Sequence, residues 1–178
     1  MHRLRICLSA LAVLLVGSVA MSAGTTAQPA TPATSTVAVS PLVQAWMDAY
    51  TSQDPDAYAA LYTSDGIYED VPSGQAAQGH EAIAELVAGY FETQSGFVFE
   101  PLAFFQGDGW ALLETNTSAT DLETGQRIAG VRIATVFELD NGLIHRSSDY
   151  YDVAGILAQL GLLPAAEEGS PAAGTPAT

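Results

Sequence analysis

Apolar side chains recur at helical spacing in the first half of the chain. Ser40-Pro41 joins a preferred N-cap residue to a proline at the first helical position, and apolar residues then recur every three or four positions as far as Gln53. Asp54-Pro55 begins a second, short helix by the same rule, and a third helix is predicted from about 80 to 93. A short strand at 67–71 and the loop that follows it lie between the second and third helices.

The second half of the chain changes to the alternating pattern of β-strands. Segments 97–106, 110–120, 127–139 and 143–151 are rich in β-branched and aromatic residues, and glycine-containing turns separate them. The third segment alternates apolar and polar positions, which is typical of a half-buried antiparallel strand. Its predicted inward side chains are those of Ala129, Val131, Ile133, Thr135, Phe137 and Leu139. A last, short helix is predicted at 152–160.

This order of elements favours an α+β domain at 40–163. One strongly curved antiparallel sheet, with the helices packed on its inner face, buries the apolar side of every element. The gap between the helices and the sheet is where a small ligand would bind. We therefore predict one domain built around one apolar pocket.

Both ends of the chain differ from this domain in composition. Residues 1–23 carry basic residues, then an apolar run, then small residues, and this order is typical of a secretory signal peptide. The apolar run is shorter than the ~20 residues of a membrane-spanning helix. Residues 24–39 predict a linker rich in Thr, Ala and Pro, and 164–178 a disordered tail of similar composition. We expect a secreted or otherwise extracytoplasmic protein.

Charge excludes two classes of partner. The chain has 178 residues and a formal net charge of −15, and removal of residues 1–23 would leave 20 acidic residues against three arginines. So acidic a surface repels the phosphates of nucleic acids and of anionic lipids. The only cysteine, Cys7, would leave with the signal peptide, so neither a disulfide nor a thiol nucleophile is expected afterwards. We expect no nucleic-acid partner and no stable membrane association.

Two stretches of sequence carry a family resemblance. They are Leu61-Tyr-Thr-Ser-Asp-Gly-Ile-Tyr-Glu-Asp-Val-Pro-Ser-Gly with Gly79-His-Glu-Ala-Ile83, and Asp140-Asn-Gly-Leu-Ile with Ser148-Asp-Tyr-Tyr-Asp152. Both resemble the SnoaL-like branch of the nuclear transport factor 2-like superfamily, which includes ketosteroid isomerases, SnoaL-like polyketide cyclases and limonene-epoxide hydrolases. The resemblance covers 40–163 and implies a cone-shaped fold, in which a curved sheet wraps the N-terminal helices. It does not fix the reaction, because this superfamily contains both enzymes and binding domains.

The resemblance to ketosteroid isomerases is incomplete at the catalytic positions. Asp70 falls at the position of their proton-shuttling aspartate. Their oxyanion-binding tyrosine falls on Trp46, and their protonated aspartate on Ile133 or Ala134. Such a base lacks the oxyanion stabilisation that usually dominates this chemistry. The resemblance therefore disfavours a true ketosteroid isomerase.

The resemblance to epoxide hydrolases and cyclases directs attention to a second aspartate. Tyr68 and Asp70 fall where limonene-epoxide hydrolases keep a water-positioning tyrosine and asparagine, and Asp149 falls on one of their catalytic aspartates. The remaining Arg-x-Asp pair of those enzymes lands on Thr115 and Thr117. SnoaL-like cyclases are similar in relying chiefly on one aspartate, at the position of Asp149.

Asp149 and Asp70 are therefore the candidate catalytic residues. A carboxyl group in an apolar pocket has a raised pKa, which makes it usable as a general acid or base near neutral pH. The structural alternative for Asp149 is a cap on the last helix. The alternative for Asp70 is a turn residue before Val71-Pro72.

Aromatic and hydroxyl side chains complete the predicted pocket. His145 shares the face of Asp149 if the strand alternates regularly. The aromatic content favours a flat or polycyclic apolar ligand. The predicted lining residues are Trp46, Tyr50, Tyr62, Tyr68, Thr115, Thr117, His145 and Tyr151. Separated histidines and scattered acids predict no metal site, and without a glycine-rich phosphate loop we expect no cofactor.

Three hypotheses for function follow. The first is Asp-centred proton transfer on an apolar carbonyl or polycyclic substrate, as a cyclase or isomerase performs it. The second is a non-catalytic module that binds a small apolar molecule. The third is epoxide hydrolysis with a rearranged acid. An exposed sheet face often pairs two copies in this superfamily, so a homodimer is also an expectation.

The signal peptide gives a direct prediction. Cleavage after Ala20 or Ala23 produces a mature protein that begins at residue 21 or 24 and is exported. Mass spectrometry of the culture medium identifies that N-terminus. An intact Met1 on protein retained in the cytoplasm would contradict the prediction.

Overall fold

The computed structural model describes residues 37–163, in which helices and strands follow the predicted order with one additional strand. The elements are α1 (Pro41–Thr51), α2 (Pro55–Ala59), β1 (Tyr62–Asp70), β2 (Gln75–Gln78), α3 (His80–Thr93), β3 (Gln94–Gly107), β4 (Trp110–Asp121), β5 (Arg127–Asp140), β6 (Leu143–Tyr151) and α4 (Val153–Gln159). The predicted signal peptide, nearly all of the linker and the C-terminal tail lie outside the described residues. Within 37–163, no helix is long and apolar enough to cross a membrane.

The first two helices begin as the sequence predicts. The Ser40 hydroxyl accepts the backbone N–H of Val43 at 3.4 Å, and the Asp54 carboxylate accepts that of Ala57 at 2.9 Å. Each cap is followed by a proline, which cannot donate a backbone N–H and so leaves no donor unsatisfied at that position. These two caps fix the residues at which α1 and α2 begin.

All six strands form one sheet in the order β2-β1-β6-β5-β4-β3. Strands β3 to β6 make the predicted antiparallel meander, and the predicted α+β fold is confirmed. The sheet is mixed rather than wholly antiparallel, because β1 pairs parallel with β6. This pairing places Asp70 directly opposite Asp149 in register.

Strand β2 lies in a segment that the sequence predicts as a loop. Residues 75–78 pair antiparallel with 67–70 at the edge of the sheet. The sequence Gln-Ala-Ala-Gln contains no β-branched or aromatic residue, so its strand conformation comes from pairing with β1 and not from local preference. The turn before it is closed by the Gly74 N–H, which donates to the Asp70 carbonyl at 2.9 Å.

β-Bulges interrupt the alternation of β5 and β6. In β5, Val131 pairs with Thr117 and Ile128 pairs with Ala119, so one extra residue lies between them. As a result Ile128 and Val131 both face inwards, and Ala129, predicted to face inwards, is exposed. Gly130 adopts a φ of +71° at this bulge, a conformation that residues with a Cβ rarely adopt.

The bulge in β6 lies at His145. Leu139 pairs with Ile144 and Glu138 pairs with Arg146, so His145 is the extra residue. Because the alternation shifts by one here, Ile144 and Ser147 are both fully buried. His145 is thereby separated from the inward face that the regular period assigns to it.

The core below the concave face is aromatic and is joined by hydroxyl groups. Trp46 packs against the rings of Tyr58 and Phe137 at centroid distances of 5.6 and 5.4 Å. Its indole N–H donates to the Tyr62 hydroxyl at 3.3 Å, and that hydroxyl lies 2.6 Å from Ser147 Oγ. These bonds satisfy the polar atoms of otherwise apolar packing and tie α1 to β1 and β6.

The bulge at Gly130 predicts a measurable backbone effect. Gly130→Ala should destabilise the protein by about 1–2 kcal/mol, because an alanine at positive φ is strained although the nearest atom to its Cβ is 3.9 Å away. Urea unfolding measures the change. The control, Gly89→Ala in exposed helix with open space around it, should stabilise by about 0.5–1 kcal/mol. A neutral Gly130→Ala would mean that the bulge relaxes without cost.

Candidate functional site

A cavity of about 120 Å³ lies between the helices and the concave face of the sheet. Strands β4 and β5 contribute small and aliphatic side chains, and Ile156 of α4 closes one side. Seven aromatic side chains line the cavity: Trp46, Tyr50, Tyr68, Tyr90, Phe97, Phe99 and Tyr151. Two carboxyl groups, those of Asp70 and Asp149, stand among these rings.

Asp149 lies on β6 and is 8 % exposed. The Thr135 hydroxyl donates to its Oδ1 at 2.6 Å, and the Tyr68 hydroxyl donates to its Oδ2 at 3.1 Å. The pKa of Asp149 is raised to about 6, chiefly by burial and in smaller part by the negative charge of Asp70, against the lowering effect of the two hydroxyl donors. The group can therefore both accept and return a proton near neutral pH.

Asp70 ends β1 and is 5 % exposed. The Tyr151 hydroxyl lies 2.9 Å from both of its carboxylate oxygens, and the Tyr90 hydroxyl donates to Oδ2 at 3.1 Å. The Ser73 N–H also donates to Oδ1 at 3.3 Å, as in a turn. Asp70 thus closes the turn after β1 and also faces the cavity.

The phenols around Asp70 act as donors. Burial raises the pKa of Tyr90 and of Tyr151, and the neighbouring Asp70 carboxylate raises both further. Both side chains therefore keep their protons at physiological pH and hold the carboxylate by charge-assisted hydrogen bonds.

The two carboxyl groups are neighbours on adjacent strands. Their residues are paired in register, and paired strands lie about 4.8 Å apart. Among the described residues, no arginine or histidine lines the cavity. None of the described arginines pairs with these aspartates: Arg127 bonds to Ser118, Arg132 pairs with Glu114, and Arg146 pairs with Glu69 at 3.1 Å.

Three predicted lining residues lie outside the cavity. Tyr62 is fully buried in the core below it, bonded to Ser147. Thr115 is buried behind Thr117, with their hydroxyl oxygens 2.8 Å apart. His145 occupies the β6 bulge, where Nδ1 lies 3.4 Å from Thr63 Oγ1. His145 lies outside the cavity because it is the extra residue of the bulge, which interrupts the period-two alternation used to predict its position.

The remaining predicted residues are brought together, and the structure adds others. Trp46, Tyr50, Tyr68, Thr117 and Tyr151 line the cavity with the two aspartates. Tyr90 and Thr135 donate hydrogen bonds to those aspartates. The sequence pattern indicates only that both side chains face inwards from α3 and β5. Their partners could not be predicted, because each contact joins elements whose relative position only the folded sheet defines.

Comparison with known proteins identifies the family. The SnoaL-like domain matches residues 43–147, so the chain belongs to the SnoaL-like domain family. No curated protein matches the chain. The family match and the solved structure with a ketosteroid isomerase-like fold described below confirm the nuclear transport factor 2-like fold inferred from the sequence.

Solved structures share this fold. A hypothetical protein with a ketosteroid isomerase-like fold from Catenulispora acidiphila, in complex with trimethylamine, has 25% identity and a TM-score of 0.67 over 71% of this chain and 96% of that chain. An epoxide hydrolase of M. tuberculosis similar to limonene-epoxide hydrolase has 24% identity and a TM-score of 0.57, covering 67% and 86%. A candidate SnoaL-like polyketide cyclase from Shewanella putrefaciens has 18% identity and a TM-score of 0.61, covering 68% and 84%.

The raised pKa of Asp149 predicts a pH-dependent stability. Well below the unfolded-state pKa of 3.8, the carboxyl is protonated in both folded and unfolded chains. As the pH rises to 6 and above, the unfolded chain ionises first, so the wild type loses up to about 3 kcal/mol of folding free energy. Asp149→Asn removes this loss, and its stability relative to wild type should rise between pH 4 and pH 8.

Urea unfolding of both proteins across this pH range measures the difference. The exposed Glu123→Gln serves as the control, since it also removes one carboxylate but outside the cavity. Its stability difference from wild type should change little with pH. A constant difference between Asp149→Asn and wild type would contradict the assigned burial of the charge.

Proposed function

We propose that this protein is an exported SnoaL-like domain that binds a small, largely apolar molecule in the cavity and transfers protons on it through Asp149. The observation that supports this most strongly is the carboxyl group itself: it is buried among aromatic side chains, and burial raises its pKa to about 6. A base with a pKa near the working pH combines a useful ionised fraction with sufficient proton affinity. The proposed reaction class is acid–base chemistry next to a carbonyl group, without a cofactor.

The surrounding side chains support this role for Asp149. Tyr68 and Thr135 hold the two carboxylate oxygens from different strands and fix the orientation of the group. As a base, Asp149 would take a proton from a carbon next to the carbonyl, and the protonated acid would return it at another carbon or to the oxygen. Tyr90 and Tyr151 hold Asp70, whose negative charge favours the protonated form of Asp149.

Cavity size favours a smaller ligand than a polycyclic compound. Drug-sized ligands occupy pockets of roughly 300–1,000 Å³, whereas this cavity has about 120 Å³. The Catenulispora protein of the same fold binds trimethylamine, a molecule of only a few heavy atoms. We therefore propose a single-ring or short-chain ligand.

A non-catalytic binding module is the second candidate function. At the position of the isomerase oxyanion donor, Trp46 directs its indole N–H to Tyr62 in the core, so it offers no donor to the cavity. At the positions of the epoxide-hydrolase Arg-x-Asp pair, the hydroxyl groups of Thr115 and Thr117 bond to each other. Neither complete catalytic set is therefore formed, which also disfavours epoxide hydrolysis.

Hydrogen–deuterium exchange tests proton transfer without knowledge of the natural product. Cyclopentanone and cyclohexanone in D₂O exchange the protons next to their carbonyl, and proton NMR follows the rate. The wild type should accelerate this exchange, and Asp149→Asn should reduce the acceleration by about 10²–10⁴-fold, as is typical of losing a general base. Glu123→Gln should retain the wild-type rate.

Two other outcomes are informative. Exchange that survives Asp149→Asn but disappears with Asp70→Asn would contradict the assignment of the base and move it to Asp70. Saturable binding of the ketones without any acceleration would contradict catalysis on this class of compound and favour the binding module.

A further inference from the structure

The charge of the cavity is not balanced by the described part of the protein. Asp70 and Asp149 lie side by side, and hydroxyl groups and one backbone N–H hold them, all of which are neutral donors. Such donors stabilise a carboxylate but do not neutralise it, and a buried carboxylate normally pairs with a cation. No described arginine lines the cavity or pairs with either aspartate: Arg132 and Arg146 pair with glutamates, and Arg127 bonds to the hydroxyl of Ser118 at the cavity edge.

The walls of the cavity are suited to a positive charge. The faces of aromatic rings carry partial negative charge and attract ammonium and guanidinium groups. Tyr50 stands among rings on several sides, stacked on Trp46 at 6.1 Å and edge-on to Phe97 at 4.9 Å and to Phe99 at 5.6 Å. All four of these side chains line the cavity together with the two aspartates.

We propose that the ligand of this cavity is a small organic cation, either a protonated tertiary amine or a quaternary ammonium ion. Its apolar substituents pack on the aromatic rings, and its charge lies next to Asp70 and Asp149. The inference rests on the proposed function in that the cavity binds a small molecule, and it adds the chemical class of that molecule. It does not depend on turnover.

Size and overall charge agree with this ligand class. A cavity of about 150 Å³ is known to admit benzene, so about 120 Å³ accommodates an amine with a few small alkyl groups. The chain carries a formal charge of −15, and an acidic protein raises the local concentration of cations. Anionic ligands of the same size are disfavoured by this charge and by the two aspartates that line the cavity.

The test compares choline with 3,3-dimethyl-1-butanol, which has the same shape but carries carbon in place of the charged nitrogen. Isothermal titration of the protein at one pH and ionic strength gives both dissociation constants. We expect choline to bind at least about tenfold more tightly, since the two carboxylates attract only the cation and the ring faces add a cation–π attraction to it. Tetramethylammonium, which lacks the hydroxyl, should retain most of this preference.

Matched variants locate the charge. Asp70→Asn and Asp149→Asn should each weaken choline binding by about tenfold and change butanol binding little. Glu123→Gln, which removes a carboxylate from the β4–β5 turn, should leave both affinities unchanged. Thermal unfolding shows whether each variant is folded, and the comparison of the two ligands on the wild type stands without them.

Failure of this inference is distinguishable from failure of the proposed function. Equal affinities for choline and for the butanol would overturn the cation preference while leaving a small-molecule cavity. A choline preference that Glu123→Gln reduces as much as Asp70→Asn would also overturn it, because the attraction would then come from the whole surface. If choline and tetramethylammonium both fail to bind while the ketones of the exchange experiment do bind, only this inference is wrong.

Discussion

Strand β1 leaves the second helix and lies parallel to β6, a strand that the chain reaches only after completing the meander. This pairing brings Tyr68 opposite Ser147 and Asp70 opposite Asp149. A slip of one residue in either strand would turn these side chains to the other face of the sheet. The register is fixed from two sides, by the buried contact of Tyr62 with Ser147 at 2.6 Å and by the Val71 N–H, which donates to the Asp149 carbonyl at 3.2 Å.

The register brings together two acids that do not benefit folding. A buried pair of carboxylates without a cation is a net cost, and apolar residues of similar size would often be as stable or more so. The structure limits this cost with hydroxyl donors from Tyr68, Tyr90, Thr135 and Tyr151. Four different elements thus supply hydrogen-bond donors to two acids that do not stabilise the fold, which points to a role other than stability. A buried carboxyl group with a raised pKa in a cavity, as at Asp149, is a good candidate for function.

The sequence predicted those parts of the structure that depend on local chemistry. Ser40-Pro41 and Asp54-Pro55 cap their helices as expected, because a cap needs only the residues next to it in the chain. The family resemblance correctly indicated the fold, and the aspartates it highlighted lie side by side in the cavity.

Features that depend on pairing between distant segments could not be predicted. Strand β2 forms only because β1 offers an edge, and nothing in Gln-Ala-Ala-Gln favours a strand. His145 was assigned to the cavity by regular alternation, but a bulge adds one residue there. Gly130 is a signal that could have indicated the β5 bulge, since glycine inside a strand often marks one. No comparable signal accompanies His145.

Both carboxyl groups of the cavity lie on one pair of strands, and helix α4 lines the cavity with Ile156. Of the positions that the sequence resemblance aligns with catalytic residues, Trp46 uses its N–H in the core, and Thr115 and Thr117 bond to each other. Across the cavity, α4 has no buried residue, and the side chain of Gln159 ties it to β5 by accepting the Ala129 N–H at 2.9 Å. Ile156 thus lines the cavity from a lightly held helix, whereas the two aspartates line it from the paired strands β1 and β6.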